Sequence, residues 1–398
     1  MKSLGPLLRR AMRTIGLEIS RYRPDFHNTC ISLAATPGTE AKGNVLLSYI
    51  LAPFLLKPGQ AISTTHNNHL ESVLIARTFQ DLGYAVDVID FRNDEFVPEK
   101  DYVFFVSART HLESISKKLN KNCITIAHLE TAHFLFNNAA AYARALDMQQ
   151  RRGVTSTSIR IVEHNRAIEY CDYAAVLGGE FCMATYRYAG KPMFRLPVPT
   201  MCTYPLNPDK DFEACRNRFL WFGSFGFVHK GLDLTLEAFA QTPHLELTIC
   251  GRFDREKDFT RIYHTELYET SNIHPEGWVD VAGSQFLDLA DQCIAVVFPS
   301  CSESESCSVL TCMQAGLIPV VTREAGIDVQ DFGILLKDAS VGAIQGAVER
   351  LAKLPASHLK EMSRKAWEYT RDHHSAEKYT RDYRAMIANI QTSRGLSD

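Results

Sequence analysis

The chain has 398 residues, of which 45% are hydrophobic and 22% charged. That length accommodates two domains, each with its own core, and the balance fits neither a disordered nor a membrane-spanning chain. The formal net charge of −3 argues against a nucleic-acid partner, a class that carries a strong basic excess.

The first residues, MKSLGPLLRRAMRTIGLEISRYRP, place Leu4, Leu7, Leu8, Met12 and Ile15 on one helical face, while Arg9, Arg10 and Arg13 interrupt any signal-peptide core. This segment reads either as a helix packed on the body or as a membrane-surface helix, which would make the protein peripheral at the inner face of a membrane. No apolar run reaches the ~18 residues of a spanning helix. The strand NVLLSYI (Asn44 to Ile50) comes next, then the loop TTHNNHLES. A helix is expected from about His69 to Leu82, stopped at Gly83, followed by the strand YAVDVIDF. DYVFFVS, NCITIAH, a helix over Ala139 to Arg152 closed by Gly153, YAAVLG and KPMFRLPV complete the first series.

PVPTMCTYPLNPDKDF, with four prolines, reads as a linker, and its Asp209-x-Asp211 pair as a charged turn. The alternation then restarts with RFLWFGS, LDLTLEAFAQ, LELTICG, NIHPEGWVD, FLDLADQC, AVVFPS, a helix over Ser308 to Ala315, and LIPVVT. Amphipathic helices end the chain. Strand and helix alternating twice around a linker predict an α/β protein with two Rossmann-like, doubly wound domains facing a central cleft. The expected divisions are an extension over 1–40, a first domain over 41–200, a linker over 201–216 and a second domain over 217–372. A terminal helix over 373–398 is expected to cross back to the first domain. The eleven cysteines show no CxxC and no Cys/His pair at zinc spacing, which predicts reduced thiols, a cytoplasmic setting and no metal site.

Three stretches between Phe222 and Thr322 carry the chemistry: FGSFGFVHKGLDLTLEAF, LTICGR…NIHPEGWVD, and AVVFPSCSESESCSVLTCMQAGLIPVVT. In order and spacing they resemble the retaining nucleotide-sugar glycosyltransferases of the GT-B fold, family 4 (group 1). The first domain resembles that family only in its α/β rhythm and a few local signatures. The resemblance implies a donor site in the second domain. Gly223 and Gly226 would let the backbone approach a diphosphate, with Lys230 supplying positive charge. Ser224 stands where the family has an arginine, and Arg252 is a candidate to replace that charge. The resemblance makes Glu303 the carboxylate that holds donor-sugar hydroxyls. Thr311 stands where the family has a ribose-binding glutamate. Ser306, Cys307, Ser308 and Val309, at a helix start, would offer amides to phosphate. Trp278 and Val279 would border the base. Glu305 reads as solvated.

In the first domain, ITIAHLETAHFLFNN offers His133 as the histidine close to the donor sugar, with His128 as the alternate. His66, Asn67 and Asn68 read either as acceptor-binding groups or as a helix-cap cluster. The implied activity is retaining transfer of a sugar from a nucleoside diphosphate donor to a saccharide or glycolipid acceptor, in surface polysaccharide or glycan biosynthesis, with no metal or other cofactor. A sugar-nucleotide epimerase of the same fold would carry more carboxylates in the cleft. A silent nucleotide-binding subunit of a glycan-assembly complex is the non-enzymatic alternative.

Overall fold

The computed structural model describes residues 28–396 apart from positions 58 and 65; the N-terminal helix expectation lies outside the described residues. Among them, two sheets form, and the central strands of each are buried almost throughout, the mark of parallel strands covered on both faces.

The first sheet contains β1 (Cys30–Leu33), β2 (Asn44–Tyr49), β3 (Ala85–Asp90), β4 (Phe104–Ala108), β5 (Ile124–Leu129), β6 (Tyr173–Leu177) and β7 (Met193–Leu196). They run in the order β1-β3-β2-β4-β5-β6-β7, parallel except for β1, which pairs antiparallel with β3. Helix α1 (Asn68–Asp81) follows β2, and α2 (Phe134–Arg152) follows β5 and starts earlier than the sequence suggests. The second sheet contains β8 (Arg218–Phe222), β9 (Glu246–Cys250), β10 (Ile273–Gly277), β11 (Ala295–Phe298), β12 (Ile318–Val321) and β13 (Ile334–Leu335). Their order is β10-β9-β8-β11-β12-β13. Helix α3 (Leu232–Ala240) follows β8 and α4 (Cys307–Gln314) follows β11.

The strand order of the second sheet reverses between β8 and β11, so the chain leaves these neighbours in opposite directions and opens a crevice at their C-terminal ends. Gly231 fixes the geometry there. Its φ is +74°, and a Cβ would lie 2.4 Å from the carbonyl oxygen of Pro299, so glycine lets the two loops touch. Gly326, at φ +76°, lets the 322–326 turn approach Ser304 from below, where a Cβ would sit 1.9 Å from the Ser304 carbonyl oxygen.

The last helix, Ala376–Ser393, returns to the first domain. Gln391 donates to Tyr84 Oη (2.9 Å), and Arg394, just beyond the helix, pairs with Asp172 (2.6 Å). The eleven cysteines are all free. Among the described residues no helix is long and apolar enough to cross a membrane.

Candidate functional site

The loops after β8 and β11 carry the charged groups. Lys230 is buried on the first loop and Glu303 lies on the second, with Lys230 Nζ 4.0 Å from Glu303 Oε1. A second cation reaches the same oxygen from the first domain: Arg160 Nη1 donates to it at 3.1 Å. Ser300 Oγ lies 3.3 Å away. Burial alone would raise the Glu303 carboxyl, but Arg160 and then Lys230 outweigh it and hold it at about 2. Burial also lowers the Lys230 pKa, opposed by Glu303. His229 ties the two loops together. Its Nε2 lies 2.6 Å from the Ser302 carbonyl oxygen, which can only accept, so the ring donates there. Burial, reinforced by Arg160, pushes the His229 pKa down to about 4 and leaves the ring neutral.

Beside this charge cluster lies a cavity of about 190 Å³, lined by Gly223 and Ser224 after β8, Trp278 and Val279 after β10, and Cys307, Ser308 and Thr311 on α4. The amides of Cys307 and Ser308, in the first turn of α4, have no intrahelical acceptor, so the helix presents positive potential to this space. His66 closes it from the first domain. A second, more polar cavity of about 450 Å³ lies in the first domain and shares Arg160 with the cluster. Arg92, Arg109, Glu130, Glu163 and Tyr186 also line it. Arg109 has a φ of +69°, a conformation that costs a non-glycine residue about 1–3 kcal/mol. Its guanidinium is compensated by Glu130 at 2.9 Å and by the Phe91 ring at 4.0 Å.

The two domains are fastened by the end of α2 and the loop that follows. Arg151 pairs with Asp233 (2.6 Å) and Glu237 (2.9 Å), and Arg144 donates to the Pro299 carbonyl (3.1 Å). Asp258 then accepts from Ser156 Oγ (2.9 Å), Thr157 N (2.7 Å), Thr157 Oγ1 (3.0 Å), Ser158 N (3.1 Å) and Ser158 Oγ. Burial raises that carboxyl, but the hydrogen bonds from Ser158, Thr157 and Ser156 hold it well below the usual range. A depressed carboxyl contributes stability in full above its unfolded value, and loses it only as pH falls below that value. Asp258→Ala is therefore expected to cost about 3 kcal/mol at neutral pH and to speed amide exchange over residues 156–160. Hydrogen exchange and thermal melts of the variant check this. Unchanged exchange in that segment would show that other contacts hold it.

Residues 216–353 match the family model described as glycosyl transferases group 1. The matched stretch runs from β8 through β13 and so takes in the whole second sheet. Among solved structures, the chain is similar to sucrose-phosphate synthase from Thermosynechococcus elongatus (TM-score 0.61, 12% identity, covering 88% of this chain and 99% of that one). It is also similar to α,α-trehalose 6-phosphate synthase from Burkholderia multivorans (TM-score 0.59, 8% identity, covering 90% and 98%). A third is TarM from S. aureus, in a complex with fondaparinux, alpha-GlcNAc-glycerol and UDP (TM-score 0.50, 12% identity). That match covers 70% of this chain but 54% of TarM, so the chain spans about half of its length. No curated protein sequence matches the chain. The fold is GT-B, with two Rossmann-like domains.

Within the matched stretch, the structure gathers Gly223, Ser224, Trp278, Val279, Cys307, Ser308 and Thr311 around one cavity, next to Lys230 and Glu303. Arg252 lies beside Ser224: its backbone N–H donates to the Ser224 carbonyl at 3.0 Å, and its guanidinium engages Asp254 at 3.0 Å and sits 5.5 Å from the centroid of the Trp278 ring. Other expected positions fall elsewhere. Of the four amides expected to meet phosphate, two are already engaged: Ser306 N donates to the Ala325 carbonyl at 3.0 Å and Val309 N to the capping Ser306 Oγ at 3.5 Å. Glu305 is not solvated. It is buried, accepts from Val198 N (2.9 Å) and pairs with Arg195 (3.2 Å), because the 303–305 turn folds inward over Gly326.

In the first domain, His128 is fully buried on β5 against Tyr49 and Glu71, which rules out contact with an acceptor. Asn67 donates to Glu71 instead of capping α1, and Asn68 Oδ1 is buried without a partner among the described residues. His66 lines the cavity of about 190 Å³ instead. His133 caps α2: its Nδ1 accepts from Leu135 N at 3.4 Å, and its Nε2 lies 3.1 Å from Tyr188 Oη. Both ring nitrogens therefore have protein partners. Among the described residues, no group of three or more His, Cys, Asp or Glu side chains is arranged to hold a metal ion. Sequence reasoning passed over Arg160, His229 and the polar cavity of the first domain. Arg160 and Glu303 are 143 positions apart, and no local pattern announces such a pair.

Proposed function

We propose that the chain is a retaining glycosyltransferase that moves a sugar from a nucleoside diphosphate to a saccharide or glycolipid acceptor in glycan assembly. The observation that carries this reading is the convergence of Lys230 and Glu303 at the β8–β11 crevice, between a cavity lined by Ser224, Trp278 and Thr311 and a polar cavity in the facing domain. The nucleoside would occupy the space bounded by Trp278, Val279 and Thr311, and its diphosphate the space near Ser224, Lys230 and the first turn of α4. Glu303 would accept hydrogen bonds from hydroxyls of the donor sugar. The acceptor would enter the cavity lined by Arg109, Glu130 and Glu163.

In this reading the bond between the anomeric carbon and the phosphate oxygen breaks, and its electron pair leaves with the diphosphate. The acceptor oxygen forms the new bond, and its proton passes to the departing diphosphate. Negative charge thus grows where Lys230 and the helix amides lie, so stabilisation needs no metal. Packing of the two domains over the site would exclude water, whose attack competes with transfer.

One observation favours the silent-subunit reading as second. The Glu256 carboxylate accepts from the amides of Gly226 and Phe227, two donors that a diphosphate would otherwise find in the glycine-rich turn.

A panel of nucleotide sugars, incubated with and without EDTA, separates these readings. The expected result is release of nucleoside diphosphate, undiminished by EDTA, and a product whose anomeric configuration by NMR equals that of the donor. An epimerised donor, an inverted product or complete loss of activity in EDTA would each overturn part of the proposal.

A further inference from the structure

We infer that Arg160, carried by the first domain, supplies the guanidinium that the second domain lacks at Ser224, so that the donor diphosphate is gripped from both domains at once. This rests on the donor site proposed above and names a residue in it that no local motif marks.

The placement is specific. The Arg160 stem crosses the glycine-rich turn at Gly226, where a Cβ would lie 2.8 Å from Arg160 Cδ. Its guanidinium lies 5.8 Å from the centroid of the Phe225 ring. Phe225 and Gly226 directly follow Ser224, which lines the donor cavity. Gly226 has a φ of +78°, so glycine is needed there both for the backbone and for the room Arg160 occupies. The guanidinium is held in advance. Ser156, Thr157 and Ser158, a few residues before it, are bound to Asp258, and Nη1 donates to Glu303 at 3.1 Å.

Two cations, Arg160 and Lys230, thus face a single oxygen of Glu303. An arginine has five N–H donors, and one contact to Glu303 leaves others for a phosphate oxygen. On the second domain Arg252 holds an exposed pair with Asp254 and Arg255 is exposed, whereas the Arg160 guanidinium is already fixed against Glu303. A diphosphate entering beside Ser224 therefore meets Lys230 from one domain and Arg160 from the other. Donor binding would fasten the 156–160 segment, while loss of the diphosphate would leave it held by Asp258 and Glu303.

The experiment uses uridine diphosphate, the nucleotide held in the TarM structure, and measures its affinity calorimetrically for the full chain and its variants. Arg160→Ala should weaken binding about 30-fold, as expected for loss of a charge-assisted phosphate contact. Adding Ser224→Arg to that variant should restore most of the loss. Arg160→Lys keeps the stem packed on Phe225 and Gly226 but lacks the fork, so it should lose several-fold in affinity even if the alanine variant is poorly folded. In the wild type, uridine diphosphate should slow amide exchange over residues 156–160.

If Lys230→Ala weakens binding while both Arg160 variants bind normally, Arg160 is not a diphosphate contact and the donor site stands without it. If Arg160→Ala lowers sugar transfer but leaves diphosphate affinity unchanged, Arg160 acts only by positioning Glu303, and the inference is overturned. If the wild-type chain binds no nucleoside diphosphate, the donor site itself fails and the inference falls with it.

Discussion

Replacing Lys230 with alanine is expected to weaken nucleoside diphosphate binding and donor turnover together, each by about a hundredfold. A single preorganised charge contact to a developing oxyanion is worth about 3 kcal/mol in a site shielded from water. Lys230 meets both conditions, being buried and positioned between the loops that close the β8–β11 crevice. The diphosphate is present in the free nucleotide and carries more charge in the transition state, so binding and rate should fall in parallel. The fold should tolerate the change, since Glu303 keeps its hydrogen bonds to Arg160 and Ser300. Burial lowers the Lys230 pKa, so its charge is lost at a lower pH than that of a solvated lysine. Diphosphate affinity should therefore decline on the alkaline side in the wild type, and that limb should flatten in Lys230→Ala. Calorimetry across pH, with turnover on the same donor, tests both statements. Normal affinity in the variant would reduce Lys230 to a structural partner of Glu303.

The parts of this site that were legible in the sequence share one property: they are local. β11 and β12 are buried along their whole length, so AVVF and IPVV read as strands without ambiguity. The turns that follow such strands carry the chemistry in doubly wound domains, and the family resemblance marked Lys230, Glu303 and the Cys307–Thr311 stretch within them. β1 was missed because it is a short edge strand, with alternating exposure and an antiparallel partner 50 or more positions away. Histidines were the least readable residues. In sequence, His128 and His133 differ little, yet one is fully buried on a strand and the other caps a helix. Glu305 looked like a solvated residue in an acidic turn. Whether a turn residue faces water or a neighbouring loop depends on what packs beneath it, here Gly326 and the Arg195 guanidinium. Arg160 shows the limit most clearly, because its partners lie on another domain and only the packing of α2 brings them within reach.

Replacing Glu303 with glutamine should separate the sugar from the diphosphate. The carboxylate would touch donor hydroxyls that free nucleoside diphosphate lacks. Turnover should therefore fall about a hundredfold, while diphosphate affinity stays level or rises. A rise is reasonable because the wild-type carboxylate draws on both Arg160 and Lys230, and removing its charge leaves those cations to the phosphates. The same change has a cost in stability. Breaking a largely buried pair by neutralising one partner leaves the others uncompensated, at about 3 kcal/mol or more. The variant should melt earlier without losing its fold. The pH dependence gives a second, independent reading. The folded carboxyl lies at about 2, below its ordinary value of 4.5. Its contribution to stability is therefore fully present above 4.5 and is lost only as pH falls towards 2. The stability difference between wild type and Glu303→Gln should accordingly be flat from about pH 5 to neutrality and shrink in acid. A difference that collapsed between pH 5 and 8 would mean that the carboxyl titrates near neutrality and is not held by the two cations. A loss of diphosphate affinity equal to that of Lys230→Ala would assign Glu303 to the nucleotide and leave the sugar without its expected partner.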